Sequence, residues 1–189
     1  ELEALFSLDM PEKTAVCILA DKEEIGSVGI SGMQSHYFEH FMEGLCDAQG
    51  VKLSDCFANS FCLSADVSNA FDPNWPETCD KRNNSQLNYG VAICKYTGSR
   101  GKGGASDASA EAMGHVRSTL DKAGVIWQIA TLGKVDQGGG GTVAAYMANR
   151  NIVTVDAGVP VLSMHAPLEL VSKLDCYETM LACKAIYLA

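Results

Sequence analysis

Short apolar runs alternate with amphipathic segments along the chain. Residues 14–20 and 60–65 are apolar runs of strand length, and residues 89–96 form a third. Runs of this kind, bounded by turn residues, are typical of buried strands. Between the first two runs, residues 34–48 place large apolar side chains at helical spacing, which predicts an amphipathic helix.

The second half of the chain continues this alternation. Its predicted elements are, in chain order, a helix from a cap at Ser106 or Asp107 to about Ala123, a strand at 127–130, a short helix from Thr142 to about Ala148, a strand at 152–156, a candidate strand at 161–164 and a last helix at 168–187. Strands and helices that alternate through the whole length indicate an α/β fold, with a mixed central sheet and helices on both faces. A chain of 189 residues with 47% hydrophobic content predicts one domain with one sizeable core.

Charge and cysteine content narrow the functional classes. The formal net charge of −9 argues against a surface for nucleic acid or anionic membrane, so we expect neither as a partner. No apolar run approaches the length of a membrane span. Eight cysteines form no C-x-x-C pair, and several lie inside apolar runs. We therefore expect reduced thiols in a cytoplasmic protein.

Side chains that suit a metal centre follow three of the predicted strands. Glu23 and Glu24 come after the run 14–20, Asp66 directly follows residue 65, and His165 follows the candidate strand 161–164. Ligands in open α/β sheets gather at the carboxyl ends of strands, so these side chains are expected to converge. Carboxylate and imidazole groups suit zinc, manganese or cobalt.

The neighbouring glutamates divide naturally into two roles. Their mutual repulsion would be relieved by a metal ion that takes one carboxylate as ligand. The other could then accept a proton from a bound water. Alternatives remain at this level: the two glutamates could form a solvated acidic turn, and His165 could be a buried structural histidine near a helix start.

A second group with metal-ligand spacing lies on the helix predicted at 34–48. His36, His40 and Glu43 share one helical face. The zincin motif needs a glutamate directly after its first histidine, and Tyr37 stands there instead. We interpret these residues as a solvated helix face.

Two glycine-rich segments are candidates for anion binding. Residues 98–104 include Lys102, but they lack the G-x-x-x-x-G-K-[ST] pattern of a phosphate loop. Residues 138–141 precede a predicted helix, whose free N–H groups could bind an anion, a substrate carboxylate or a developing oxyanion. A phosphate-binding α/β protein is therefore a third, weaker hypothesis, and no dinucleotide fingerprint is present.

The chain contains three motifs in order: Asp-Lys-Glu-Glu-Ile-Gly-Ser at 21–27, Ser-Ala-Asp at 64–66, and Asp-Ala-Gly-Val-Pro-Val-Leu-Ser-Met-His at 156–165. Together they resemble the aspartyl-aminopeptidase and aminopeptidase I family of dizinc exopeptidases. The resemblance extends from near residue 1 to residue 189. It implies a zinc-exopeptidase-like catalytic domain that releases N-terminal residues from peptides by means of metal-activated water.

The resemblance also implies roles for individual residues. Glu23 would be the general base, Glu24 and His165 would bind one zinc ion, and Asp66 would bind the second. Family members form homo-oligomers, including tetrahedral dodecamers, which makes the same assembly an expectation here.

This sequence departs from the family in two ways. The N-terminal histidine ligand, the bridging aspartate and the dimerisation domain have no counterpart in residues 1–189. We therefore expect the C-terminal part of a metallopeptidase catalytic domain, inactive in isolation. The alternative is a catalytically incompetent fragment or assembly subunit with a vestigial metal site. In addition, Asn69 stands where many members carry a histidine near the substrate, which leaves the preferred N-terminal residue open.

Overall fold

The computed structural model describes residues 1–100, 103–134 and 136–189. Its α-helices are α1 (Leu2–Phe6), α2 (Tyr37–Gln49), α3 (Leu53–Ala58), α4 (Ala110–Ala123), α5 (Ala144–Ala148) and α6 (Lys173–Tyr187). Its strands are β1 (Phe61–Asn69), β2 (Val91–Cys94), β3 (Tyr96–Ser99), β4 (Gly103–Asp107), β5 (Trp127–Ile129), β6 (Val153–Leu162) and β7 (Leu170–Val171). Short 3₁₀ turns lie at Glu23–Ile25 and Pro76–Thr78.

The central sheet has the order β1-β6-β2-β5, and β7 pairs with the end of β6. Strand β6 runs parallel to β1 and antiparallel to β2, whereas β2 and β5 are parallel. Strands β3 and β4 form a separate antiparallel hairpin. The predicted α/β fold with a mixed central sheet is confirmed.

Helices cover the sheet in two groups. One apolar cluster joins β2 and β6 to α4 and α6, with Val91, Ile93, Val116 and Leu120 fully buried. A second cluster contains residues from α2, α3 and α5, and Cys62 of β1 packs against it. Burial of apolar area on this scale is the main stabilising contribution to such a domain.

The prediction of a buried strand at 14–20 is wrong. These residues have no regular secondary structure and belong to no strand ladder in the described part of the chain. Val16 and Ile18 pack against the second apolar cluster, while Leu19 is 66% exposed. Residues 14–18 and β1 instead line a common cavity of about 550 Å³. An apolar run alone cannot provide the neighbouring strand that ladder hydrogen bonds require.

Several element boundaries also differ from the sequence prediction. Strand β1 continues through Asp66 to Asn69, so Asp66 lies within the strand and not beyond it. The two predicted strands at 152–156 and 161–164 form one continuous strand, β6, whose residues 153–161 pair with β1. The predicted strand at 89–96 divides into β2 and the start of β3.

Helix boundaries shift for identifiable reasons. Ser106 and Asp107 belong to β4, and α4 is capped by Ser109, whose side chain accepts the N–H of Ala112. Helix α6 begins only at Lys173, since its cap is Ser172. Side-chain oxygens that satisfy free N–H groups fix both helix starts.

Two further findings concern composition. All eight cysteines lie among the described residues and are free thiols. Among the described residues, no helix has both the length and the apolar character needed to cross a membrane.

Candidate metal-binding and catalytic site

The acidic segment at residues 21–27 is a compact turn that presents two adjacent carboxylates. The N–H of Ser27 donates to the carbonyl of Lys22 at 2.7 Å, and the N–H of Gly26 donates to Glu23 at 2.9 Å. Lys22 and Ser27 adopt the left-handed conformation, with φ of 66° and 58°. Non-glycine residues rarely do so, and such strain is often found at functional sites. The turn leaves Glu23 half-buried and Glu24 exposed.

His165 reaches the same turn from the far end of β6. It also has a left-handed backbone, with φ of 66°, and its N–H donates to a carboxylate oxygen of Glu169. Its Nε2 atom lies 3.1 Å from Oε1 of Glu24, with both side chains largely exposed. The fold therefore brings together two of the predicted ligands from opposite ends of the chain.

Asp66 and Glu23 complete the set of predicted residues. Asp66 lies on β1 opposite Gly158 of β6, and its carboxylate accepts the N–H of Val67 at 2.7 Å. Burial raises the pKa of Glu23, the charges of Asp66 and Glu24 raise it further, and His165 lowers it. The half-buried Glu23 thus lies within the electrostatic influence of the other three side chains.

The donor chemistry of this group fits a metal ion only in part. Glu24 and His165 offer a carboxylate and an imidazole side by side, a combination common in zinc sites. Among the described residues, however, no group of three or more histidine, cysteine or acidic side chains is arranged to hold a metal ion. The site shared by Glu24, Asp66 and His165 remains a prediction.

Sequence reasoning missed the residues that support the acidic turn. The carbonyl of Gly26 accepts hydrogen bonds from Gln34 at 2.6 Å and from the hydroxyl of Tyr146 at 3.3 Å. Arg150, two residues beyond α5, donates to Glu39 of α2 and to the carbonyl of Met33, and so joins α5 to α2 rather than to the turn itself. No local pattern marks these residues, because their partners are distant in sequence.

Asp156 is a second feature that the sequence pattern did not identify. It is 5% exposed in the middle of β6, opposite Ser64 of β1. Thr142 Oγ1 lies 2.9 Å from both of its carboxylate oxygens, and the hydroxyl of Thr97 donates to it at 3.2 Å. Burial raises the pKa of Asp156 to about 6, although the nearby hydroxyl groups oppose this shift.

Ser64 is the least well satisfied of the hydroxyl groups near Asp156. It is close enough to lower the pKa of the carboxyl. Among the described residues, though, its buried Oγ has no partner that meets hydrogen-bond geometry. We regard Thr142 and Thr97 as the actual hydrogen-bond donors to Asp156.

The glycine-rich segments are explained by close packing. A Cβ atom on Gly139 would lie 2.3 Å from the carbonyl oxygen of Gly98, and Gly139 has a φ of +91°. The N–H of Arg100 donates to Gly138 at 2.9 Å, which fastens the second segment to the β3–β4 hairpin. Lys102, the residue behind the phosphate-loop hypothesis, lies outside the described residues, and anion binding by residues 138–141 stays a prediction.

His36 directly precedes α2, and His40 and Glu43 lie within it. His36, His40 and Glu43 are all exposed. His36 pairs with Glu39 at 2.6 Å and not with Glu43. This agrees with their interpretation as a solvated helix face.

Comparison with known proteins identifies the family to which the chain belongs. Residues 1–187 match the family model described as Aminopeptidase I zinc metalloprotease (M18). A probable M18 family aminopeptidase 1 of Clostridium acetobutylicum is 49% identical over 181 residues, which cover 94% of this chain and 39% of that protein.

Solved structures of aminopeptidases are similar to this chain in fold. The crystal structure of aminopeptidase I from Clostridium acetobutylicum has a TM-score of 0.91 at 47% identity and covers 99% of this chain and 41% of that one. The crystal structure of an M18 family aminopeptidase from Thermotoga maritima has a TM-score of 0.94 at 43% identity and covers 98% of this chain and 42% of that one. A yeast relative described as a dodecamer is 24% identical with a TM-score of 0.71, covers 89% of this chain and 36% of its own, and shares the fold.

These matches have a clear extent. The chain spans about two fifths of the length of the relatives that it matches. Within that span, the agreement in sequence and fold covers nearly all of its residues. The chain belongs to the M18 family of aminopeptidase I zinc metalloproteases.

Proposed function

We propose that residues 1–189 form the C-terminal part of the catalytic domain of a zinc aminopeptidase, which releases N-terminal residues from peptides. The observation that carries this proposal is the 3.1 Å contact between Glu24 and His165, with the half-buried Glu23 beside it. The family match supports the same activity.

The chain's own residues would divide the work of metal binding. Glu24 and His165 would hold one zinc ion, and Asp66 would hold a second; manganese or cobalt suits the same donors. When bound, the metal supplies Lewis acidity, which polarises the scissile carbonyl and makes water more acidic. Further ligands would come from outside these 189 residues, since the described part offers no group of three.

Glu23 would move the proton. Its carboxylate accepts a proton from the attacking water and then gives that proton to the nitrogen of the leaving peptide. Burial and the nearby carboxylates raise its pKa, which makes the ionised group a stronger base than a free surface glutamate. Glu24, whose Oε1 lies 3.1 Å from His165, would bind the metal instead and would not be free for this role.

The whole protein would also contain the parts that this sequence lacks. We propose an N-terminal segment with the remaining ligands, a separate dimerisation domain, and assembly into a homo-oligomer such as the dodecamer formed by the yeast relative. The compartment would be the cytoplasm, where the eight free thiols remain reduced.

The test is metal analysis of the full-length protein together with a panel of aminoacyl substrates. We expect about two zinc ions per subunit and release of the N-terminal residue that is abolished by chelation and restored by zinc. A full-length protein that binds no metal and cleaves no substrate would favour the alternative, an incompetent subunit with a vestigial site.

A further inference from the structure

Asp156 joins three separate parts of the fold. It belongs to the central strand β6, and its carboxylate accepts hydrogen bonds from Thr97 of the β3–β4 hairpin and from Thr142. Thr142 follows the segment of residues 138–141, which we call the glycine segment. Thr142 Oγ1 also accepts the N–H of Ala144, the first residue of α5. One buried carboxylate therefore connects the sheet, the hairpin and the start of α5.

The glycine segment leaves little freedom around this connection. Gly139 packs against the carbonyl of Gly98, and a Cβ on Gly141 would lie 2.9 Å from the carbonyl oxygen of Gly104. Both contacts are backbone against backbone. The hairpin and the glycine segment can approach this closely only because neither carries side chains there.

Helix α5 connects this buried carboxylate to the acidic turn. Tyr146, two residues after Ala144, donates its hydroxyl to the carbonyl of Gly26 at 3.3 Å. Gly26 closes the 3₁₀ turn of Glu23 and Glu24 through its own N–H. A continuous path of hydrogen bonds and one helix thus runs from Asp156 through Thr142 and Tyr146 to the candidate base.

We propose that Asp156 is a positioning residue for the aminopeptidase reaction, which anchors α5 through Thr142 so that Tyr146 holds the Glu23–Glu24 turn in place. The role rests on the proposed function, because the turn matters for catalysis only if Glu23 acts on substrate. The anchoring itself is a property of the fold and can be measured without activity.

The experiment compares single variants of the full-length protein. Thr142→Val removes the donor of the anchor, Asp156→Asn removes its charge and one of its two acceptor oxygens, Thr142→Ser keeps the hydroxyl, and Tyr146→Phe removes only the last contact. Asp175→Asn is the matched control. Asp175 is an equally buried carboxylate, but it accepts the N–H groups of Asn88 and Gly90 at the start of β2.

Two readouts are needed. Amide hydrogen exchange in peptides covering 21–27 and 138–147 reports anchoring, and kcat per folded enzyme, measured well below the unfolding temperature, reports positioning. In Asp156→Asn and Thr142→Val we expect exchange in both peptides to accelerate roughly 10- to 100-fold, as loss of a hydrogen bond to a charged group predicts. We expect kcat to fall about 10-fold with little change in KM, while Thr142→Ser and Asp175→Asn stay within about 3-fold of the parent.

Tyr146→Phe tests the order of the path. It should accelerate exchange in 21–27 and lower kcat, while leaving 138–142 protected. Unchanged exchange in both Thr142→Val and Asp156→Asn would overturn the inference. So would faster exchange with an unaltered kcat, since the anchor would then be purely structural. If the parent enzyme has no activity but exchange responds as described, the proposed function fails and the anchor stands.

Discussion

At the scale of single residues, the adjacent Glu23 and Glu24 should respond differently to the same substitution. In the full-length protein, Glu23→Gln keeps the size of the side chain but cannot accept a proton. We expect kcat to fall about 10²–10⁴-fold, the usual contribution of a positioned base, with zinc content and KM little changed. Glu24→Gln should instead lower zinc content, because a neutral amide is a poor ligand. Zinc analysis and steady-state kinetics on both variants provide the measurement.

Two outcomes would contradict these assignments. Loss of zinc in Glu23→Gln, with normal zinc in Glu24→Gln, would exchange the two roles. Full activity in both variants would mean that the turn is only a solvated acidic loop, the alternative that the sequence left open.

Asp156 should give the protein a pH-dependent stability. Its pKa in the fold is about 6, raised from 3.8 by burial, so the folded state binds this proton more tightly than the unfolded state. The resulting stabilisation is complete below pH 4 and is lost as the pH rises through 6. The upward shift from 3.8 to about 6 corresponds to roughly 3 kcal/mol. Asp66 is the neighbouring charge that contributes to this shift.

The measurement compares the parent with Asp156→Asn, which cannot titrate. From pH 5 to pH 7.5 we expect the free energy of unfolding of the parent to fall relative to that of the variant. Urea titrations of both proteins at several pH values give this difference. A difference that does not vary with pH would show that Asp156 does not titrate in this range.

The sequence predicted that Glu24 and His165 would lie close together, whereas their role in binding metal stays a prediction. Glu24 and His165 do meet, because the turn after residue 20 and the turn after β6 lie together. Asp156 could not be identified in the same way. A carboxylate inside an apolar strand looks like a boundary residue until the threonines that hydrogen-bond to it, 59 and 14 positions away in sequence, are known.

At the scale of elements, the packing of the glycine segment against the hairpin predicts a strong effect of a small substitution. Gly139→Ala would place a Cβ 2.3 Å from the carbonyl oxygen of Gly98, at a φ of +91°. We expect this change to lower the free energy of unfolding by about 1–3 kcal/mol. Gly114→Ala is the control, since Gly114 lies within α4 with no atom within 4 Å of the new Cβ.

The two glycine variants should differ in their effect on the free energy of unfolding. Alanine at position 114 should be neutral or stabilise by up to about 1 kcal/mol, because alanine favours helix. Thermal unfolding of both variants beside the parent gives the comparison. Equal effects at the two positions would mean that the close approach at Gly139 does not constrain the fold.

Elements whose pattern is local, such as amphipathic helices, were predicted well from sequence. Elements whose limits depend on pairing with a segment distant in the chain were not. Helices α2 and α4 follow from apolar spacing, and their limits differ from prediction by only a few residues. Strand β6 appeared as two pieces because Gly158 and Pro160 interrupt its apolar pattern. Pairing along the full length of β1 overrides that local signal.

At the scale of the whole molecule, residues 14–20 are the clearest departure from prediction. They have the composition of a buried strand, yet residues 14–18 line a cavity of about 550 Å³ together with β1. Of the described strands, only β6 pairs with β1. Sequence pattern indicates that a segment can be a strand, but pairing depends on which other strands are available to it.

The 189-residue chain should behave differently from a longer polypeptide that adds the N-terminal segment proposed above. A catalytic zinc usually keeps three protein ligands, and two zinc ions that share a bridge need about five. This chain offers Glu24, Asp66 and His165 as candidates. We expect weak zinc binding and little hydrolysis of aminoacyl substrates from the chain alone, and recovery of both in the longer polypeptide.

Hydrogen exchange provides an independent readout of the same comparison. If the added segment completes the sheet, the amides of 14–20 should become protected in the longer polypeptide, because they would then have ladder partners. The lack of ladder partners for residues 14–20 and the incomplete set of metal ligands would then have the same cause, namely that the added segment is missing. Robust peptidase activity from residues 1–189 alone would refute that explanation, since three candidate ligands would then have proved sufficient for catalysis.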